Sequence, residues 1–216
     1  MTVMLANNTG IRTGYLAGKY PGKIGHLISP GAERGPFEFM PYSLDNGAFS
    51  PKGFQVEPWL KLLDWAKLSG KSPNWCLVPD VVGDSDGTLA LWRQYSPVAG
   101  CYGWPLAFAV QDGMTARDVP ANAEVVFVGG STFWKWSTVA IWCKAFHHVH
   151  VGRVNTYRRL WQCHDAGAKS TDGTGFTRGD QRQYRGLCSY LAESTGETKR
   201  VIQPNLLEDA HALHFY

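Results

Sequence analysis

The polar residues of this chain that are suited to chemistry fall where short apolar runs stop. They are Asp45 and Asn46 in "YSLDNGAF", Asp80 and Asp84 in "WCLVPDVVGD", Gln111 and Asp112 in "PLAFAVQDG", Gly129 and Gly130 in "EVVFVGGS", Arg153 and Asn155 in "HVHVGRVN", and Asp172 in "AGAKSTDGTGF". Taken singly, an aspartate beside a glycine is an ordinary turn former. Gathered around one cavity, carboxylates repel one another and require hydrogen bonds or a ligand to hold them. Two carboxylates with separate tasks suit displacement at a sugar anomeric carbon, where one attacks the carbon and another moves protons. The further acids and amides, with the backbone amides of the Gly129 and Gly130 pair, suit the adjacent donors and acceptors of a purine edge. Residue types alone therefore point to glycosyl chemistry on a nucleoside.

That reading requires elements that bring the run ends together. The apolar runs "TVMLANN", "YSLDNGAF", "WCLVPDVV", "PLAFAVQDG", "EVVFVGGS", "HVHVGRVN" and "AKSTDGTG" are strand-like, with segments between them long enough for one helix each. In "VEPWLKLLDWAKLSG", Trp59, Leu60, Leu63 and Leu68 have helical spacing, Pro58 suits a first turn and Gly70 a stop. In "SDGTLALWRQYSP", Ser85 is the expected N-cap and Pro97 the expected terminator. "STFWKWSTVAIWCKAF" and "TYRRLWQCHDAG" continue the alternation, whereas "ARDVPANA" is too short and Pro-broken for a full crossover helix. Near-continuous apolar strands followed by helices predict a parallel sheet covered on its faces, and seven or eight of them predict a small (β/α)8 barrel of the TIM type. Catalytic groups in such a barrel project from the C-terminal strand ends, where all the polar residues above are placed.

The domain reading is one barrel over residues 1–216. "KRVIQPNL" is the expected eighth strand, within a C-terminal helical region from 178 to 216. Residues 9–41, rich in Gly and Pro and containing "KIGHLIS", read as a lid or a hairpin insertion. The 216 residues can bury a sizeable core, and 44% hydrophobic and 18% charged residues argue against disorder. A net charge of +3 does not by itself mark a nucleic-acid binder, although Arg153, Arg158, Arg159, Arg178, Arg182 and Arg185 concentrate basic charge late in the chain. Five cysteines with no CxxC pair argue against a disulfide framework and for a reducing, cytoplasmic setting. No export signal or membrane-spanning run is read, and no membrane partner is expected.

In order along the chain, "SLDNGAF", "VPDVVGD", "AVQDG", "VFVGGS", "HVGRVN" and "GAKSTDG" resemble the tRNA-guanine transglycosylase superfamily over about residues 40–180. The likeness is strongest to its DNA-directed branch, the phage and bacterial 7-deazaguanine transglycosylases. The resemblance implies that Asp172 is the nucleophile and Asp45 the general acid/base. It implies that Asp80 and Gln111 read the base, with Gly129, Gly130, Asn46 and Asp112 lining the same base pocket. The reaction would be a double displacement: Asp172 expels guanine and forms a covalent glycosyl-aspartate, and a 7-deazaguanine base such as 7-cyano-7-deazaguanine then replaces it.

The expected partners are DNA, with its guanine flipped out or single-stranded, and the free 7-deazaguanine base. A homodimer or a strand-opening helper is compatible with this. Arg153 and Arg178 would contact phosphates, and Phe49, Phe133 and Phe176 are candidates for stacking on bases. No cofactor is expected. The tRNA enzymes carry a Cys-x-Cys-x2-Cys zinc site with a distant His, whereas this chain has only Cys188 in its C-terminal region, so no metal site is read and DNA is the expected polymer. His147, His148, His150 and the Cys163–His164 pair read as a buried strand histidine and helix-face residues. The glycines after Asp172 are expected to leave room for the incoming sugar. The alternatives are a base-releasing nucleosidase acting on 7-deazaguanine, a tRNA-guanine transglycosylase, and an inactive nucleic-acid-binding barrel.

Overall fold

The computed structural model describes residues 1–7, 10–33, 37, 39–178 and 180–200. Eight parallel strands close into a barrel in chain order: β1 (Thr2–Ala6), β2 (Ile24–Ile28), β3 (Tyr42–Leu44), β4 (Cys76–Leu77), β5 (Leu106–Val110), β6 (Val125–Val128), β7 (Val149–Val151) and β8 (Ser170–Gly173). The ring is sealed where β1 pairs with β8, with Met4 opposite Asp172. The outer helices are α1 (Ile11–Lys19), α2 (Val56–Leu68), α3 (Ser85–Gly100), α4 (Thr132–Ala145), α5 (Tyr157–Ala166), α6 (Gly175–Arg178) and α7 (Gln181–Ser194). The crossover between β5 and β6 is reduced to a 3-10 turn at Ala116–Asp118, as the broken "ARDVPANA" segment predicts. Among the described residues no helix is long and apolar enough to cross a membrane.

The eighth strand is not where the sequence placed it. Residues 11–28 supply α1 and β2, a complete barrel unit, so the stretch read as a lid or hairpin is instead part of the wall. Every residue of β2 is buried, which is the condition for a strand covered on both faces. Gly25 allows this wall to close, because a Cβ there would lie 2.9 Å from the carbonyl oxygen of Pro41. The eight strands of the closed ring all lie between Thr2 and Gly173, and "KRVIQPNL" lies outside the described residues from Val201 onward.

Two apolar layers hold the barrel. The larger packs the outer strand faces against helices, with Trp59, Leu62, Leu63 and Ala66 forming the buried face of α2. Leu68 turns out to be exposed, one step beyond that face, and Gly70 in a left-handed conformation ends the turn. The smaller layer fills the barrel interior with Met4, Ala6, Leu27, Trp75, Leu77, Ala107, Ala109 and Val125, with Phe127 against them. Helix α3 is capped by Asp84, whose side chain accepts from the Gly87 N–H at 3.0 Å, and Ser85 is the first helical residue. Pro97 does not terminate α3. It sits in the last turn, where the helix runs on to Gly100.

Candidate active site

A pocket of about 670 Å³ opens at the C-terminal end of the barrel and receives residues from all eight strand ends. Asp45, Asn46, Asp80, Gln111, Gly129, Gly130, Arg153, Asn155, Asp172 and Arg178 all line it. Strand geometry explains the convergence. Parallel strands in register deliver the residue after each run to the same rim, so Asp45 follows β3, Asp80 follows β4 and Gln111 follows β5.

Three carboxylates share this pocket in different settings. Asp172, on β8 and buried, uses one oxygen twice: Oδ1 lies 3.1 Å from His150 Nε2 and accepts the Arg153 backbone N–H at 3.2 Å. Its Oδ2 has no hydrogen-bond partner among the described residues. Asp45 faces the pocket from the other side. Its Oδ2 accepts from Ser29 Oγ at 2.8 Å and its Oδ1 from the Asn46 N–H at 2.9 Å. Ser29 is itself fixed by Asn7, through Asn7 Nδ2 to Ser29 Oγ at 3.1 Å and the Ser29 N–H to Asn7 Oδ1 at 2.9 Å. Enclosure by protein pushes the Asp45 carboxyl up to about 6, with Asp172 and Asp80 adding to the rise and Ser29 opposing it. Such a group exchanges protons near neutrality.

Asp80 is held flat between two amides. Asn46 Nδ2 donates to its Oδ1 and Gln111 Nε2 to its Oδ2, each at 2.7 Å. Burial raises its pKa, while these two bonds and the Arg153 charge work against that rise. Asn46 spends its other amide hydrogen on the Val78 carbonyl at 3.0 Å, and its Oδ1 accepts from the Ala48 N–H at 2.8 Å. Asn46 therefore orients Asp80 and has no donor left for a ligand, which corrects its expected base-binding role. The Gly pair needs a similar correction. The Gly129 N–H donates to Val110 O at 3.2 Å and the Gly130 N–H to Gln111 Oε1 at 3.3 Å, so neither amide is open to a purine.

Asp112 and Asp84 do not line the pocket. Asp112 Oδ1 accepts from the Ser131 N–H at 2.6 Å at the start of α4, and Asp84 caps α3, so for these two the turn-and-cap reading holds. The glycines behind Asp172 serve packing, not ligand space. A Cβ on Gly173 would run into the Val154 carbonyl and Asn155, and one on Gly175 into Gln183. Of the three phenylalanines, Phe176 is core, Phe133 is exposed away from the pocket, and Phe49 lines it.

The loop after β7 is under backbone constraint. Arg153 has φ 60°, a left-handed conformation disfavoured for a residue with a Cβ. Three contacts hold it there: its N–H to Asp172, its guanidinium Nη2 to the Gly130 carbonyl, and the buried Lys135 Nζ, which donates to Gly152 O at 2.6 Å. The guanidinium also lies 4.7 Å from the Phe49 ring centroid, which places a cation and an aromatic face on one wall of the pocket. Burial lowers the Lys135 ammonium to about 8, helped by Arg153 and opposed by Asp172.

Ser29, Asn7 and Lys135 carry no distinguishing signal in the sequence alone, and His150 reads there as core. Ser29 follows β2, whose residues read as loop in the sequence, so its position at a strand end emerges only from the fold. Lys135 sits in an apolar helical stretch, where its burial is visible only from the packing of α4. Cys163 is buried, and His164 Nδ1 lies 2.9 Å from the Tyr190 hydroxyl, so this pair is structural. Among the described residues no group of three or more His, Cys, Asp or Glu side chains could hold a metal ion.

No protein-family model matches the sequence, and no curated protein matches it at a significant level. Among solved structures, the chain is similar to the Amycolatopsis orientalis BexX/CysO complex, with a TM-score of 0.55 and 13% identity over 94% of this chain and 94% of that one. It is also similar to a native KDPGal structure, with a TM-score of 0.53 and 13% identity over 91% of this chain and 93% of that one. At such identity the likeness shows the (β/α)8 fold alone, and function must be argued from the site.

Proposed function

We propose that this protein is a base-exchange transglycosylase that replaces guanine in DNA with a 7-deazaguanine base through a glycosyl-aspartate intermediate. One observation carries the reading. Asp172, with Oδ2 unpartnered among the described residues, shares a single chamber with Asp45, a carboxyl that ionises near 6. In the first displacement Asp172 Oδ2 attacks C1′ of the flipped nucleoside. The C1′–N9 electron pair leaves with guanine, which takes a proton from Asp45. In the second, N9 of the incoming base attacks C1′ and loses its proton to Asp45, and the C1′–Oδ2 pair returns to Asp172. A group ionising near 6 can do both tasks in turn, as one residue must when leaving and entering bases occupy the same place.

Asp80, clamped by Asn46 and Gln111, presents a fixed acceptor to the guanine N1–H and amino edge. Arg153 over Phe49 forms a cationic, aromatic wall suited to a stacked base or its phosphate, with exposed Arg178 farther out on the rim. DNA as the polymer rests on the sequence resemblance. The test is incubation of the protein with guanine-containing DNA and labelled guanine or 7-cyano-7-deazaguanine, with Asp172→Ala as control. Label entering the uncut polymer, and lost in the variant, supports the reading. Release of free base without incorporation points to a hydrolase, and neither outcome to a binding protein. Exchange retained by Asp172→Ala would remove Asp172 from the mechanism.

A further inference from the structure

Behind the pocket, Asp172 is tied to a histidine that does not line it. His150, on β7, is wholly buried in the barrel interior, stacked on Phe127 at 4.9 Å and met edge-on by Trp75 at 4.8 Å. Its two ring nitrogens both have partners: Nε2 is 3.1 Å from Asp172 Oδ1, and Nδ1 is 2.8 Å from Ser170 Oγ. Ser170, two residues before Asp172 on the same strand, therefore points into the barrel beside it. Ser170 also lines a depression of about 290 Å³ with Thr2, Asn74, His148 and Lys169, residues at the N-terminal ends of the strands. The Asp172, His150 and Ser170 chain thus runs through the barrel from the pocket toward the opposite mouth.

A buried imidazole needs partners at its nitrogens in any case; what distinguishes His150 is that one of them is Asp172, a carboxylate that lines the pocket. Here the pairing follows strand geometry: His150 lies opposite Ser170 in the β7–β8 register, and Asp172 is the next inward position along β8. Buried polar groups are held in this way when their orientation matters.

We propose that His150 is the positioning residue for Asp172, with Ser170 holding the far side of its ring. The Asp172 carboxylate can only accept, so the ring carries its proton on Nε2 and donates it to Oδ1, and the Ser170 hydroxyl donates to Nδ1. Together with the Arg153 N–H, the Nε2–H engages one carboxylate oxygen and leaves Oδ2 as the attacking atom. The same donor acts again in the second displacement. As the C1′–Oδ2 bond breaks and its electron pair returns to the carboxylate, the Nε2–H stabilises the returning charge, so His150 speeds breakdown of the covalent intermediate. This role in the reaction rests on the base-exchange reading; the hydrogen-bond chain itself does not.

The experiment has two arms on the full chain. In the first, imidazole ¹H–¹⁵N NMR of the wild type is expected to show a ring whose proton is on Nε2, with a proton signal that moves upfield in Asp172→Asn and an Nδ1 resonance that shifts in Ser170→Ala as that nitrogen loses its donor. A proton on Nδ1, or a signal indifferent to Asp172→Asn, overturns the chain. In the second, His150→Phe keeps an aromatic ring but no donor. It should lower kcat for exchange by about ten- to a hundredfold, as expected for loss of a charge-assisted bond, while KM for the free base stays unchanged and trapped glycosyl-enzyme accumulates. His150→Gln, which can return a donor, should recover part of the loss. Wild-type kcat in His150→Phe, or equal losses in both variants, overturns the positioning role. If the wild type exchanges no base at all, the base-exchange reading fails, and the first arm still decides whether His150 orients Asp172.

Discussion

Replacing Asp45 by asparagine should make the protein more stable and inactive at once. Asp45 shares its pocket with Asp80 and Asp172, and its carboxyl ionises near 6 instead of 3.8 because it is enclosed. Between those two pH values the unfolded chain has lost this proton while the folded chain keeps it, so wild-type stability falls as pH rises through the window. Above it, the charged group costs the fold about 3 kcal/mol, at roughly 1.4 kcal/mol per pH unit. Asp45→Asn removes that cost. The new side chain keeps an acceptor for the Asn46 N–H, and Ser29 must accept instead of donate, which returns about 1 kcal/mol.

The net expectation is a gain of about 1–3 kcal/mol at pH 8, or a rise of roughly 4–8 °C in Tm near the middle of that range. The gain should shrink below about 1 kcal/mol at pH 4.5, where most wild-type molecules are already protonated. Urea unfolding at the two pH values, with the exchange assay run alongside, measures both effects. A variant less stable than wild type at pH 8, or equally stabilised at both pH values, would refute the reasoning that repulsion and enclosure set the state of Asp45.

Three further perturbations test other parts of the site. Asp80→Asn sets a new amide donor against the amide of Asn46 or Gln111, so it should cost about 1–3 kcal/mol in urea unfolding and weaken the preference for guanine-type bases in competition assays. Gly173→Ala should lower Tm by several degrees or block folding, because the added methyl meets the Val154 carbonyl where β8 packs on the loop after β7; thermal unfolding by circular dichroism reads this. Lys135→Met should flatten the alkaline rise in stability. In the wild type the unfolded chain binds the extra proton between pH 8 and 10.5, so stability climbs with pH there, and urea midpoints at pH 8 and pH 10 should differ in the wild type and converge in the variant.

The barrel and most of its rim are legible from the sequence because a buried parallel strand is a continuous apolar run and its last residue is placed by the fold. Asp45, Asp80, Gln111 and Asp172 were found that way and lie in one pocket. β2 is hidden in the sequence because "IGHLI" is short, carries Gly25 and lies among glycines and prolines, which are loop signals when neighbouring strands are unseen. For Asn46 and the Gly pair, residue type suggests a ligand contact because it reports what a group can bond, not what already occupies it. Asp112 and Asn46 illustrate the difference: both polar and both at strand ends, one is consumed by a helix start and the other by Asp80. His150 looked like core because it is core, and only the facing position of Ser170 and Asp172 on the next strand reveals its second partner.

The seam between β1 and β8 has a consequence for how the protein comes into being. Asp172 is registered against Met4, so the strand that bears it is flanked by the first strand of the barrel on one side and by β7 on the other. Contacts between chain segments so far apart carry a loop-closure cost that must be met before the pairing rewards it, which favours local pairings first. A chain emerging during synthesis can assemble Asp45 and Asp80 on neighbouring strands well before Asp172 has a wall to stand on. The pocket that Asp45, Asp80 and Asp172 share is thereby completed only when the ring closes.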